Sequence, residues 1–305
     1  MFAYLAFEKF SNELAYELKN KKAVSDRLFV SDTYQPCIWA QVIWHDCEII
    51  DITSVGDAVK ALKARGKWWA CYSFDHHRRA QLVQEQLPKY KIAPLKFLGD
   101  VPSQPMGAWT MLEKNKILVA AKTSSPFPLG EIHFQEDKKT PPSRAYLKLW
   151  ELLTVQKTLP AKGSLCLDLG SCPGGWTWAL QQAGARVISV DKAPLDPRIA
   201  RLPNIEYRKK DAFTLKPEEI GPIDWLFSDI ICYPPRLLEL VQEWRASGLC
   251  KNFVCTIKFQ GETDWTTMAK FLEIPDSRIV HLYANKHEVT WICSEPGPVS
   301  ANGAT

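Results

Sequence analysis

The sequence predicts a doubly wound, mostly parallel α/β sheet preceded by a smaller α+β domain. Three observations carry that expectation. Beyond residue 160, short apolar strands alternate with helices, the pattern of a parallel sheet wrapped on both faces. The chain then closes with "RIVHLYANKHEVTWIC", two strands about a short turn. Finally, "SPFPLGEIHFQEDKKTPP" (125–142) is rich in proline, charge and turn formers, and so reads as a linker.

The elements follow in order. In 1–124, "YLAF", "PCIWAQVIW", "KWWACYSF" and "KILVAAK" are expected as strands, with helices over 9–19, 54–65 and 76–87. In 143–295, strand "LCLDL" leads through a glycine loop to a helix ending near Gly184. Strands "RVISVD", "IEYRK" and "IDWLFSDI" come next, then a helix over 235–247, strand "NFVCTIKF", a helix over 264–273 and the closing pair. The tail 296–305 is expected to be disordered.

A length of 305 residues allows two ordinary domains, and 46% hydrophobic with 24% charged residues is ordinary globular composition. The formal charge of +4 admits a polyanionic partner without requiring one. The start has no basic n-region, its apolar runs are broken by Glu8, Lys9 and Glu13, and no run is long enough to span a bilayer. No membrane association and a cytoplasmic location are therefore expected. Nine cysteines without a CxxC pair point to reduced thiols. His45, His76, His77, His133, His281 and His287 lack metal-ligand spacing, so no metal is expected. Nothing in the sequence calls for an obligate dimer, and a monomer is expected.

"CLDLGSCPGGW" (166–176) carries the chemistry. Asp168 and Leu169 end a strand, and Gly170, Gly174 and Gly175 bracket a turn where missing Cβ atoms let a ligand lie against backbone. The following helix points free N–H groups into the same crevice. A dinucleotide fingerprint is G-x-G-x-x-G, whereas the spacing here is G-x-x-x-G-G with Pro173 inside. Asp191, ending the next strand, is placed for a ribose diol, and Asp211, after the third strand, for the exocyclic amine of an adenine. Three acids around one glycine loop argue for a nucleoside-bearing cofactor.

Two lysines stand where bland residues would serve. Lys148 lies in the helical stretch "SRAYLKLWE" among Ala145, Leu149 and Leu152, and Lys258 closes "NFVCTIKF" at a strand end facing the crevice. Asp229 ends "WLFSD" and Glu288 begins "EVTWIC". Together these residues resemble the FtsJ/RrmJ-like RNA 2′-O-ribose methyltransferases, whose mark is a Lys–Asp–Lys–Glu tetrad around a DLGxxPGGW loop. Lys148, Asp229, Lys258 and Glu288 match its places in chain order. "SPFPLG", "DLGSCPGGWTW", "SVDKAP" and "LYANKHEVT" are most similar to segments of family members that methylate a cytidine ribose in bacterial large-subunit ribosomal RNA. The resemblance covers about residues 125–293.

It implies a Rossmann-like class I methyltransferase over 143–295, with the closing hairpin typical of that fold, and S-adenosylmethionine as cofactor. Lys258 would be the proton acceptor and Lys148 its orienting partner. Ser143, Asp168, Gly170, Cys172, Pro173, Gly174, Gly175, Trp176, Asp191, Asp211 and Asp229 would hold the cofactor. It also implies a THUMP-like RNA-recognition module over 1–124 and a ribosomal RNA substrate; transfer RNA or another structured RNA is the alternative, as is a cofactor- and RNA-binding protein without turnover. An amine methyltransferase would want Asp or Asn directly before Pro-Pro-aromatic, which "SDIICYPPR" does not supply. A cytosine-C5 enzyme would want Pro-Cys or Thr-Cys, and "VCT" reverses that order.

RNA contact is expected from the basic stretch between Lys60 and Lys96, chiefly Lys60, Lys63, Arg65, Lys67, Arg78 and Arg79. Trp68, Trp69, Tyr72 and Tyr90 are interleaved as candidate stacking rings.

Overall fold

In the computed structural model, residues 1–157 and 160–294 are described; the tail expected to be disordered lies outside them. The chain divides into two units, Met1–Gln135 and Glu136–Thr305.

Period-two burial along two strands organises the first unit. Its elements are β1 (Phe2–Ala6), α1 (Ser11–Glu17), β2 (Lys22–Ala23), β3 (Leu28–Ser31), β4 (Ala40–His45), β5 (Glu48–Asp51), α2 (Val55–Lys63), β6 (Trp69–Cys71), α3 (His77–Glu85), β7 (Gly107–Glu113), β8 (Lys116–Ala120) and β9 (Lys122–Thr123). They build sheets of order β2-β3-β1-β4-β9 and β5-β8-β7-β6. On β7 and β8, Trp109, Met111, Ile117 and Val119 pack with α2 and α3. The alternate residues Ala108, Leu118 and Ala120 pack with Leu5, Val42 and Trp44 of the other sheet. Successive side chains of a strand point to opposite faces, so this hairpin is buried on both sides and separates two cores. Ser54 caps α2 by accepting the Asp57 amide at 3.1 Å.

The α+β expectation matches this unit, but strands β2, β3, β5 and β7 are additional to it. "PCIWAQVIW" and "KWWACYSF" contribute only five and three strand residues, Ala40 to Trp44 and Trp69 to Cys71. The stretch 125–142 is shared between the units: Phe127 is buried, and Gln41 Nε2 donates to the Leu129 carbonyl at 2.8 Å.

The second unit contains α4 (Tyr146–Thr154), β10 (Leu165–Leu169), α5 (Gly175–Gln182), β11 (Arg186–Asp191), α6 (Pro197–Ala200), β12 (Ile205–Lys209), β13 (Trp225–Ser228), α7 (Pro234–Ala246), β14 (Asn252–Lys258), α8 (Trp265–Leu272), β15 (Ser277–Val280) and β16 (Glu288–Cys293). One seven-stranded sheet runs β12-β11-β10-β13-β14-β16-β15. Strands β10 to β14 are parallel, and β16 inserts antiparallel between β14 and β15. The strand order reverses between β10 and β13, which opens a crevice at their C-terminal ends. Among the described residues, no helix is long and apolar enough to cross a membrane.

Trp291 locks β16 in place. It is fully buried, its ring lies 5.2 Å from Phe271 and 6.0 Å from Phe253, and its Nε1 donates to the Phe271 carbonyl at 3.1 Å. Trp291→Ala is expected to destabilise the second unit by about 3–5 kcal/mol, read as a lower urea midpoint for its unfolding transition.

Candidate active site

The crevice is floored by the turn after β10. Gly170 adopts φ +74°, where a side chain is strained, and a Cβ there would lie 2.2 Å from Ile230 Cγ1. Glycine lets the segments after β10 and β13 meet. Gly174 caps α5 at φ +115°. Around this turn lies a cavity of about 420 Å³, walled by Asp168, Asp191, Asp211, Phe213 and Ile230, with Asp229 and Lys258 among its lining residues.

Of the residues expected to hold a cofactor, Ser143, Asp168, Gly170, Cys172, Pro173, Gly175, Trp176, Asp191, Asp211 and Asp229 all line this cavity. Gly174 is the exception. It turns away, and a Cβ there would meet Ile199 at 3.0 Å, so its task is the turn itself. Ser171, Phe213, Ile230, Ile231 and Arg236 also line the cavity and escaped the sequence reading. Ser171, Phe213, Ile230 and Ile231 belong to loops, where no periodicity says which way a side chain faces, and Arg236 stands on the first turn of α7.

The three acids differ in state. Asp168 is buried; its Oδ2 accepts the Thr177 hydroxyl at 2.6 Å, while Oδ1 is buried without a partner. Burial pushes its carboxyl up to about 7, against the lowering effect of Thr177. Asp191 accepts the Cys172 amide at 3.0 Å and the Ala193 amide at 2.8 Å, one on each oxygen. Asp211 accepts the Phe213 amide at 3.0 Å, which holds its carboxyl below the usual range.

At one end of the crevice the structure gathers four residues that lie far apart in sequence. Lys148 Nζ donates to Asp229 Oδ1 at 2.7 Å and to Glu288 Oε1 at 3.0 Å. Lys258 Nζ donates to the Asp229 carbonyl at 2.6 Å and stands 3.1 Å from its Oδ1. Lys258 and Glu288 are direct cross-strand partners on β14 and β16. Lys148 is only 5% exposed and does not line the cavity; nor does Glu288. Asp229 and Lys258 face the cavity in front of them.

Glu151, one turn beyond Lys148 on α4, was also missed. It is buried, and its Oε2 accepts the Tyr283 amide at 2.8 Å, tying α4 to the segment that leads into β16. Among apolar helix neighbours in "YLKLWELL", its sequence signal was a charge on the buried face of α4.

A doubly wound sheet with a glycine turn at its switch point, strand-end acids and an inserted closing strand defines a Rossmann-like class I methyltransferase. More particularly, residues 141–284 match the model of the family described as FtsJ-like methyltransferase. The chain is 31% identical over 182 residues to ribosomal RNA large subunit methyltransferase M of Azoarcus sp. (strain BH72), covering 54% of this chain and 49% of that one. It is 32% identical over 206 residues to the protein of that name from Xanthomonas oryzae pv. oryzae (strain PXO99A), covering 62% of this chain and 58% of the relative. The chain thus spans about half the length of the curated relatives it matches. Among solved structures, fibrillarin from Aeropyrum pernix has 20% identity and a TM-score of 0.32, over 44% of this chain and 68% of that one.

S-adenosylmethionine is the cofactor of this fold, and the residues fit it. The unpartnered buried atoms Asp168 Oδ1 and Ser171 Oγ belong to the cavity lining, as a polar ligand requires.

In the first unit, Lys60, Lys63, Arg65, Lys67 and Arg78 are exposed, with Arg65 paired to Glu48 at 2.8 Å and Lys67 4.5 Å from the Trp68 ring centroid. Arg79 departs from the expectation. Its Nε and Nη2 are buried, so it does not present that bidentate edge to a phosphate. Trp69 is fully buried and cannot stack on a base; its Nε1 donates to the Gly66 carbonyl at 2.9 Å.

Burial pushes the Glu151 carboxyl from 4.5 up to about 8. Between those values the native chain binds more protons than the unfolded one, so this stabilisation is complete below pH 4.5 and is lost as the pH rises through 8. Asp168 contributes with the same sign between 3.8 and about 7. Glu151→Gln keeps an acceptor for Tyr283 and removes the titration. Urea unfolding at a series of pH values is expected to show a flatter decline for the variant than for the wild type.

Proposed function

We propose that the chain transfers a methyl group from S-adenosylmethionine to a ribose 2′-hydroxyl of ribosomal RNA, on a cytidine, with Lys148, Asp229, Lys258 and Glu288 as the reacting cluster. The observation that carries this reading is the double engagement of Lys258 Nζ by Asp229 at the edge of the cofactor cavity. The names of the curated relatives support ribosomal RNA as the substrate.

S-adenosylmethionine supplies a methyl group on a sulfonium, already activated for attack by oxygen. Asp168 and Ser171 would hold its amino acid end, Asp191 its ribose diol, and Asp211 with Phe213 its adenine. A ribose hydroxyl is a weak acid, so the chain must align it and take its proton. Lys148 spends its contacts on Asp229 and Glu288, and thereby fixes the Asp229 carboxylate. In the amine form of Lys258, two N–H groups serve Asp229 and the lone pair is left for the hydroxyl. The proton passes from the 2′-oxygen to Lys258 Nζ as that oxygen gains the methyl group. Lys60, Lys63, Arg65, Lys67 and Arg78 would bind RNA phosphates in the first unit.

Labelled S-adenosylmethionine, incubated with RNA or ribosomal particles from cells lacking the protein, tests this. Wild type is expected to yield a 2′-O-methylated nucleoside, cytidine on digestion. Lys258→Ala should lower turnover by at least about 100-fold while cofactor binding stays within a few-fold, whereas Asp191→Ala should weaken cofactor binding. Full activity of Lys258→Ala would overturn the assignment, and the absence of product on both RNA and particles would overturn the activity.

A further inference from the structure

Immediately beyond Asp229 the chain alternates in burial outside any helix or strand. Ile230 and Cys232 are 8% and 7% exposed and Pro234 is buried, whereas Ile231 and Tyr233 are 79% and 63% exposed. The inward residues are anchored. Ile230 rests on Gly170, Pro234 opens α7, and the Asp229 carbonyl is held by Lys258. With the segment fixed at both ends, the outward direction of Ile231 and Tyr233 is set by the fold.

Burying an isoleucine side chain is favourable, and Ile231 forgoes most of that gain. Among the described residues no ring stacks on Tyr233. Ile231 is not a scattered surface apolar, because it lines the same cavity as Asp229 and Lys258, and Tyr233 faces outward two residues further on. Arg236, on the first turn of α7, adds a cation there. Its guanidinium lies 3.9 Å from the Phe213 ring centroid and makes no hydrogen bond among the described residues. An apolar side chain, an exposed ring and a cation beside a hydroxyl-accepting amine suit one ligand chemistry: an unstacked nucleotide, its base on the ring and its phosphate near the guanidinium.

We propose that Ile231 and Tyr233 form the seat for the base of the nucleotide whose 2′-hydroxyl meets Lys258. This rests on the RNA 2′-O-methylation reading. The base lies on the Tyr233 ring and against Ile231, which holds the ribose at the cavity mouth.

The test uses the full chain, labelled S-adenosylmethionine and ribosomal RNA from cells lacking the protein, with Tyr233→Ala, Ile231→Ser and Tyr233→Phe. Loss of the ring is expected to lower kcat/KM for RNA by about 5- to 150-fold, with the Kd for S-adenosylmethionine within twofold of wild type. Tyr233→Phe keeps the ring and should restore most of the lost efficiency. An unchanged kcat/KM in Tyr233→Ala, or a parallel loss of cofactor binding, would overturn the seat while leaving the reaction intact. If wild type itself forms no methylated product, the reaction reading fails, and direct short-wavelength ultraviolet crosslinking of ribosomal RNA, which engages any base, decides the seat alone. An adduct on the peptide holding Tyr233 supports it, and adducts confined to other peptides overturn it.

Discussion

The second unit is built around the carboxylate of Asp229. Two lysine Nζ atoms meet on its Oδ1, at 2.7 and 3.1 Å, and Lys148 has a second carboxylate partner in Glu288. Two carboxylates on its Nζ are what allow Lys148 to sit buried. Removing one partner from a buried pair typically costs about 3–5 kcal/mol, because it strands a desolvated charge. The four residues come from α4, the end of β13, the end of β14 and the start of β16, so the sheet order and the cluster require one another. Had β15 rather than β16 paired with β14, Glu288 would not stand opposite Lys258.

Glu151 extends this dependence outward. Its contact with the Tyr283 amide ties the helix that carries Lys148 to the segment that precedes Glu288. Trp291, further along the same strand, fixes β16 against α8 through its indole. Lys148 and Glu288 thus remain behind the cavity lining, and Asp229 links them to Lys258. The cofactor cavity depends instead on a steric constraint, the approach of Ile230 to Gly170, which a single methyl group would block.

Strand "LCLDL", the glycine turn and the strand-end acids were legible because their periodicity and residue types leave few alternatives. Lys148 and Lys258 were legible as charges in apolar surroundings. Ile231 and Phe213 were not, since loops carry no period. In the first unit the β7–β8 hairpin was half missed: "GAWTMLE" is buried on both faces, so alternate residues serve different cores and no apolar–polar alternation marks the strand. Arg79 and Trp69 were counted among residues open to RNA because a linear stretch of sequence does not say which side chains turn inward.

The sequence by itself determined the fold class, the glycine turn and the residue types that meet around Asp229, because each follows from local pattern and from the chemistry of the side chains. Only the tertiary structure decided which lysine is buried and which faces the cavity. It also decided that Glu288 stands across from Lys258 and that Ile231 and Tyr233 point outward. Those outcomes depend on strand insertion and on contacts between residues as much as 140 positions apart, and no local pattern encodes them.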